Sequence, residues 1–269
     1  MKVQLPHIWQ PDSRPDLTGT LGEWFNSELG SDVLAAESRL LAHILPDLFG
    51  YHALQLGQIT PCHLLQASRI RHHILADKHL QAVDGLSPLL AQPEQLPLAT
   101  GSMDVVLLHH LLDVAVSPHA VLREAARVLI PEGYLVVLGF NPWSLWGLWR
   151  FCRLPWSNTP WLKRDLSPQR LSDWLTLLDF DVVGVESVYF KPPIGTTAIR
   201  QRFNWLEALG LRYWSQGGAC YALLAQKRVA CVTPLRLRQP LLQMLKPPLI
   251  SETRDNSLKT RLAVRKNPH

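Results

Sequence analysis

Two uninterrupted apolar runs bracket one amphipathic helical pattern in the middle of this chain, and that arrangement leaves few folds open. Met103-Asp-Val-Val-Leu-Leu108 and the run from Tyr134 to Phe140 lack the alternation of a half-solvated strand, so both read as strands buried on two faces. Between them Ser117-Pro118 opens a helix that runs to Leu129, with Val121, Leu122, Ala125 and Val128 on one side. Pro131-Glu-Gly133 stops the helix and turns the chain into the second strand. Strand, helix and strand within residues 103–140 make a βαβ unit, which places the strands parallel and the helix on one face of the sheet.

The alternation extends in both directions. Upstream, Ser31 is expected to cap a helix over 32–45, with Leu34, Leu41 and Leu45 on its apolar face and Glu37 toward solvent; Pro46 and Gly50 end it. Strands are expected at 51–57, 69–76 and 87–91, with a short helix over 61–68. Downstream, Ser167-Pro168 caps a helix carrying Leu171, Trp174, Leu175 and Leu178. A strand over 181–190, a helix over 197–209 and a strand over 219–225 follow. The fold class expected is α/β, a doubly wound, mostly parallel sheet with helices on both faces. Residues 1–30 read as an N-terminal arm, 31–226 as the folded domain with a Trp-rich insert at 141–165, and 227–269 as a flexible basic tail.

Charge supports that division. The chain carries a net +5, but residues 227–269 hold ten Lys/Arg against two Asp/Glu, a net +8, which leaves the body mildly acidic at −3. The tail reads first as a solvated, unstructured segment, with contact to an anionic surface or a protein partner as the alternative, and no nucleic-acid-binding signature accompanies it. Cys62, Cys152, Cys220 and Cys231 stand far apart with no CxxC pair, so a reduced, intracellular and cytoplasmic protein without disulfides or a metal site is expected. Residues 1–15 show no signal-peptide pattern, and the apolar stretch 133–149 is broken by Asn141, Pro142 and Ser144, which argues against a membrane span.

Residues 96–139 contain Leu96-Pro97, Ser102-x-Asp104, Arg123-Glu124, Arg127-Val128-Leu129, Pro131 and Gly133. This stretch resembles the second half of a type 11 methyltransferase domain. The resemblance implies a Rossmann-like sheet of seven strands with the last antiparallel, S-adenosylmethionine as cofactor, and methyl transfer to a small-molecule acceptor. The family's glycine-rich loop falls on Gln55-Leu56-Gly57-Gln58-Ile59-Thr60-Pro61, where only Gly57 matches the glycine pattern and Gln55 stands at the acidic position. The resemblance places the cofactor against Gln55, Gly57 and Gln58, Asp77, the turn Gln92-Pro93-Glu94, and Leu108. Asp77 lies 20 residues past Gly57, the spacing of a ribose-binding acid, and an ordinary turn aspartate is the alternative. Gln92 either meets an adenine edge or sits in a surface loop.

His109-His110, with Asp113 three residues on, follows the fourth strand, at the carboxyl edge where ligands bind in such sheets. One reading is a general base on an acceptor hydroxyl with Asp113 holding its tautomer; the other is packing. His72 and His73 alternate across a strand and cannot chelate together. Trp143, Trp146 and Trp149 recur every third residue, which suits an aromatic wall for an apolar or aromatic substrate, an interfacial anchor, or a stripe packed on the sheet. A catalytically inactive, methyltransferase-like binding protein that acts through the Trp-rich segment or the tail is the alternative to an enzyme, because the glycine loop departs from its pattern.

Overall fold

The computed structural model describes residues 17–57, 62–78, 83–144, 146–147, 166–192, 203, 205–206, 210, 214 and 216–228. All belong to the first of two units, Met1–Val229; the second, Ala230–His269, lies outside the described residues, and of the tail read over 227–269 only Lys227, which ends the last strand, and Arg228 are described. Helices α1 (Leu17–Phe25) and α2 (Glu28–Ile44) precede strands β1 (His52–Leu56), β2 (His72–Asp77), β3 (Ser87–Leu90) and β4 (Met103–His109). The short α3 (Leu111–Val114), then α4 (Pro118–Val128), β5 (Leu129–Phe140), α5 (Pro168–Leu177), β6 (Phe180–Val188) and β7 (Cys220–Lys227) complete the described elements.

The seven strands form one sheet in the order β3-β2-β1-β4-β5-β7-β6. Strands β1 to β5 pair in parallel, and β7 runs antiparallel to both β5 and β6. The doubly wound sheet expected from the sequence is present, with its carboxyl edge formed by the ends of β1, β2, β4 and β5. Alternate residues of the central strands feed two cores. On one face Leu54, Leu56, Val106, Leu108, Leu135 and Val137 pack against α4 and α5. On the other, Ala53, Val105, Leu107, Val136 and Leu138 pack against Leu40, Leu41 and Leu45 at the α2 end. Each fully buried Leu or Val side chain contributes roughly 1.5–3 kcal/mol relative to exposure, so the paired faces fix the register of β4 and β5.

Three local expectations need correction. The N-terminal arm was drawn too long: residues 17–30 form α1 and the first turn of α2, whose cap is Ser27 and not Ser31. Leu21 and Phe25 are buried, and an apolar stripe of this kind forms a helix because the sheet behind it offers a face to cover. Residues 62–70 make turns where a short helix was expected. Pro131-Glu-Gly133 does not separate helix from strand, because β5 already begins at Leu129. Between the pairs Met103↔Leu129 and Val105↔Tyr134 the extra residues bulge out, with Glu132 at φ 65°. The helix read over 197–209 lies almost entirely outside the described residues.

The motif residues of the 96–127 stretch hold backbone. Asp104 Oδ2 accepts hydrogen bonds from the N–H groups of Tyr51 (2.9 Å) and His52 (2.8 Å), tying the start of β1 to β4. Arg127 donates to the carbonyls of Leu96 (3.0 Å) and Leu98 (2.9 Å) and pairs with Glu124, whose Oε1 accepts from Leu96 N–H at 2.7 Å. The Arg–Glu spacing of the sequence motif is thus a clamp on the loop entering β4. Arg127→Ala should lower stability by about 1–2 kcal/mol, since two half-buried carbonyls lose a charged donor; urea denaturation followed by tryptophan fluorescence measures it, and an unchanged midpoint would contradict the clamp.

Candidate functional site

The carboxyl edge of the sheet gathers the candidate residues. Strand β1 ends at Leu56, and Gly57 follows with φ +77°, a left-handed conformation that glycine adopts without strain. A Cβ there would lie 3.1 Å from Leu111 Cδ1, so the backbone runs close against α3. Gly57 N–H donates to Ala76 O at 2.9 Å, which sets the start of the glycine loop beside Asp77 at the end of β2. Asp77 is half-buried; its carboxylate accepts from Lys78 N–H at 2.6 Å, and its carbonyl accepts from Ala91 N–H at 2.9 Å. The turn Gln92-Pro93-Glu94 follows directly, with Gln92 exposed and Pro93 buried. These cofactor candidates come together from three strands. Leu108 is fully buried in the core between the sheet and α4, and Gln58 lies outside the described residues.

Gln55, at the family's acidic position, is 1% exposed, and its Oε1 has no hydrogen-bond partner among the described residues. A buried, unmet acceptor costs about 1–3 kcal/mol, so this side chain suits a donor that arrives with a ligand.

One strand away stands a closed polar cluster. Glu37 is fully buried on α2; its Oε2 lies 3.0 Å from His109 Nε2 and its Oε1 lies 2.7 Å from His110 Nε2. His110 Nδ1 lies 2.9 Å from Asp113 Oδ2, which also accepts from Phe140 N–H at 3.2 Å. The two rings converge because His110 leaves the strand at φ 49°, ψ 11°, a left-handed conformation that costs a non-glycine residue on the order of 1 kcal/mol. Phe25 and Phe140 pack over the imidazoles, with ring centroids 5.3 Å and 4.1 Å from His110.

Burial opposes charge on Glu37, His109 and His110, and the pairing outweighs it for Glu37 and His110. Against desolvation, the charge and hydrogen bonds of His110 and His109 hold the Glu37 carboxyl well below its usual range. Against the same penalty, Glu37 and Asp113 push His110 up to about 9. For His109 burial outweighs the Glu37 hydrogen bond and charge and lowers the ring's pKa. Burial and the neighbouring Glu37 raise the Cys220 thiol well above its ordinary value.

His109, His110 and Asp113 were candidate catalytic residues; the structure brings them together and also engages them. Both ring nitrogens of His110 face carboxylates, and neither histidine reaches solvent. The reading of Glu37 as a solvent-side residue is overturned. Glu37 falls four residues after Val33 and four before Leu41, inside the buried stripe of α2, and that spacing was the available signal.

The tryptophan stripe divides. Trp146 packs edge-on against Trp24 and Tyr189 and donates Nε1–H to Lys191 O at 2.8 Å. Trp143 is 71% exposed, and Trp149 lies outside the described residues. Trp143 lines a pocket of about 520 Å³ with Asn141, Ser167, Pro168, Gln169, Trp214 and Gln216. Asn141 fixes one wall by donating to the carbonyls of Gln216 (2.6 Å) and Gly218 (3.0 Å). Trp214 and Gln216 carried no signal in the sequence, since they reach the pocket only through the β6–β7 connection. No helix among the described residues is long and apolar enough to cross a membrane.

A family model described as a methyltransferase domain, the type 11 group, matches residues 57–137. The Escherichia coli (strain K12) protein YafS is 32% identical over 169 residues, 63% of this chain and 69% of the relative. Among solved structures, a chain from the complex between the Haloferax volcanii Trm112 methyltransferase activator and a methyltransferase has a TM-score of 0.56 at 16% identity, covering 81% of this chain and 100% of that one. A SAM-dependent methyltransferase from Thermotoga maritima has a TM-score of 0.55 at 19% identity, over 77% and 93% of the two chains. One from Archaeoglobus fulgidus has 0.51 at 17%, over 77% and 98%. At these identities the structural matches show a shared fold.

Proposed function

The chain belongs to the type 11 group of class I, Rossmann-like S-adenosylmethionine-dependent methyltransferases, and from that premise we propose that it transfers a methyl group to an uncharged, aromatic or apolar small molecule. The observation that carries the reading is the juxtaposition of left-handed Gly57 with Asp77 across the ends of β1 and β2. Bound there, S-adenosylmethionine supplies an electrophilic methyl group on a sulfonium. Asp77 is suited to hold ribose hydroxyls, and the Gln92-Pro93 turn to border the adenine. Gln55, with its unmet Oε1, is suited to accept from the amino-acid end.

The acceptor is assigned to the pocket between Trp143 and Trp214. Among the described residues its lining holds two indoles, amides and a hydroxyl and no charged side chain, which favours a neutral ring over an ion. With both His110 nitrogens engaged, acceleration is assigned to alignment of acceptor and methyl group, a source of several kcal/mol in oriented reactions. Label transfer from methyl-labelled S-adenosylmethionine to a panel of neutral aromatic, anionic and cationic acceptors tests this. Neutral aromatics should be the group labelled, and Trp143→Ala should raise KM about tenfold, the scale of one lost aromatic contact. Labelling confined to charged acceptors, or an unaltered KM, would remove the pocket from the account.

One observation favours a binding protein without catalysis: an uncharged Gln55 stands where the family has an acid, so it cannot ion-pair with the cofactor's ammonium group. That reading is suited by cofactor binding without label transfer to any acceptor class.

A further inference from the structure

We propose that Glu37, His109 and His110 bind a divalent metal ion of the zinc class, which fastens helix α2 to the carboxyl end of β4. The inference goes beyond the methyl-transfer reading and does not depend on it.

Three donor atoms, one from each residue, lie within 4.8 Å of one another, and all three residues are buried. Two imidazole nitrogens and a carboxylate oxygen are a donor set that zinc and its first-row neighbours take. The backbone is shaped for convergence. Consecutive residues on an extended strand point to opposite faces, so His109 and His110 reach the same carboxylate only because His110 turns left-handed at the strand's end. The far nitrogen of His110 is oriented by Asp113, at 2.9 Å, and metal-bound histidines ordinarily carry such a carboxylate partner. Glu37 and Asp113 also place two carboxylates in a site closed to water, and a divalent ion in place of the proton between Glu37 and His110 balances them.

Among the described residues the other histidines do not assemble as well. His52 with His72, and His63 with His73, form pairs of two nitrogens each, at 2.7 Å and 2.9 Å. The first pair is exposed and serves as an internal control. The donors at Glu37 are inaccessible in the folded chain, so the ion enters as α2 docks. The effect of the ion is structural: it joins two segments 72 residues apart in sequence.

The test uses the full chain purified without a polyhistidine tag. Protein from zinc-supplemented culture, and protein refolded from denaturant with zinc and freed of excess, is assayed for metal by atomic emission. About one equivalent per chain is expected by either route, because metal affinity and folding are coupled at such sites. Refolding with cobalt(II) should give the visible d–d absorption of a low-symmetry nitrogen- and oxygen-ligated ion. His109→Gln should lose both signals, and the double variant His52→Ala/His72→Ala should keep both. Wild-type protein with metal only at background by both routes would overturn the proposal. So would metal retained in His109→Gln and lost in the double variant. If His109→Gln does not fold, wild-type content and the cobalt spectrum, read against the double variant, decide alone.

Discussion

Glu37→Ala should destabilise the fold by about 3–5 kcal/mol, the range seen when one partner of a buried ion pair is removed. The truncation leaves His110 Nε2 and His109 Nε2 facing a void where a carboxylate accepted from both, at a position fully closed to water. It also removes the two hydrogen bonds through which Glu37 ties α2 to the end of β4. Ser38→Ala, one residue along and exposed, should change stability by no more than about 0.5 kcal/mol. Urea unfolding of both variants beside the parent chain gives the comparison. A Glu37→Ala variant as stable as Ser38→Ala would mean that the cluster contributes nothing to holding the N-terminal helices.

Asp77→Ala should weaken binding of S-adenosylmethionine by roughly 10- to 100-fold while leaving the melting temperature nearly unchanged. Hydrogen bonds to a charged group are worth about 1.5–3 kcal/mol, which converts to that range of affinity. Asp77 closes β2 at a half-buried position, and its carboxylate is seen taking the adjacent Lys78 amide. The substitution therefore removes polar contact at the sheet edge without opening a core cavity. Titration calorimetry on both proteins checks it. Equal affinity in the variant would assign Asp77 to the turn and move the ribose contact elsewhere.

The parallel half of the sheet was legible because β4 and β5 are packed on both faces and α4 on one, so each must be written in apolar residues of the matching period. The Arg127–Glu124 pair and the carbonyls it holds lie within the motif stretch, whereas the amides that Asp104 holds belong to Tyr51 and His52, outside it. What escaped was long-range. Glu37 falls in the buried stripe of α2 by spacing, but its charge reads as solvent-side, and its partners sit more than 70 residues away. Trp214 and Gln216 meet Trp143 only because β7 returns antiparallel beside β5, which brings the residues before Cys220 to the end of β5. The start of α2 was placed late because Ser31 imitates a cap, and the capping oxygen is that of Ser27, which accepts from Gly30 N–H. Spacing alone grouped the three tryptophans, but Trp146 turns into the core against Trp24 while Trp143 turns out.

The central claim is that this fold still holds its family's cofactor although Gln55 has replaced an acid and Gly57 alone matches the glycine pattern. Titration calorimetry of the folded, full-length chain with S-adenosylmethionine and with its demethylated product tests that claim directly. Saturable binding of both ligands at one site, with Kd on the order of micromolar, is the predicted result. Absence of heat from either ligand at about millimolar concentration, a thousandfold above that expectation, would contradict it.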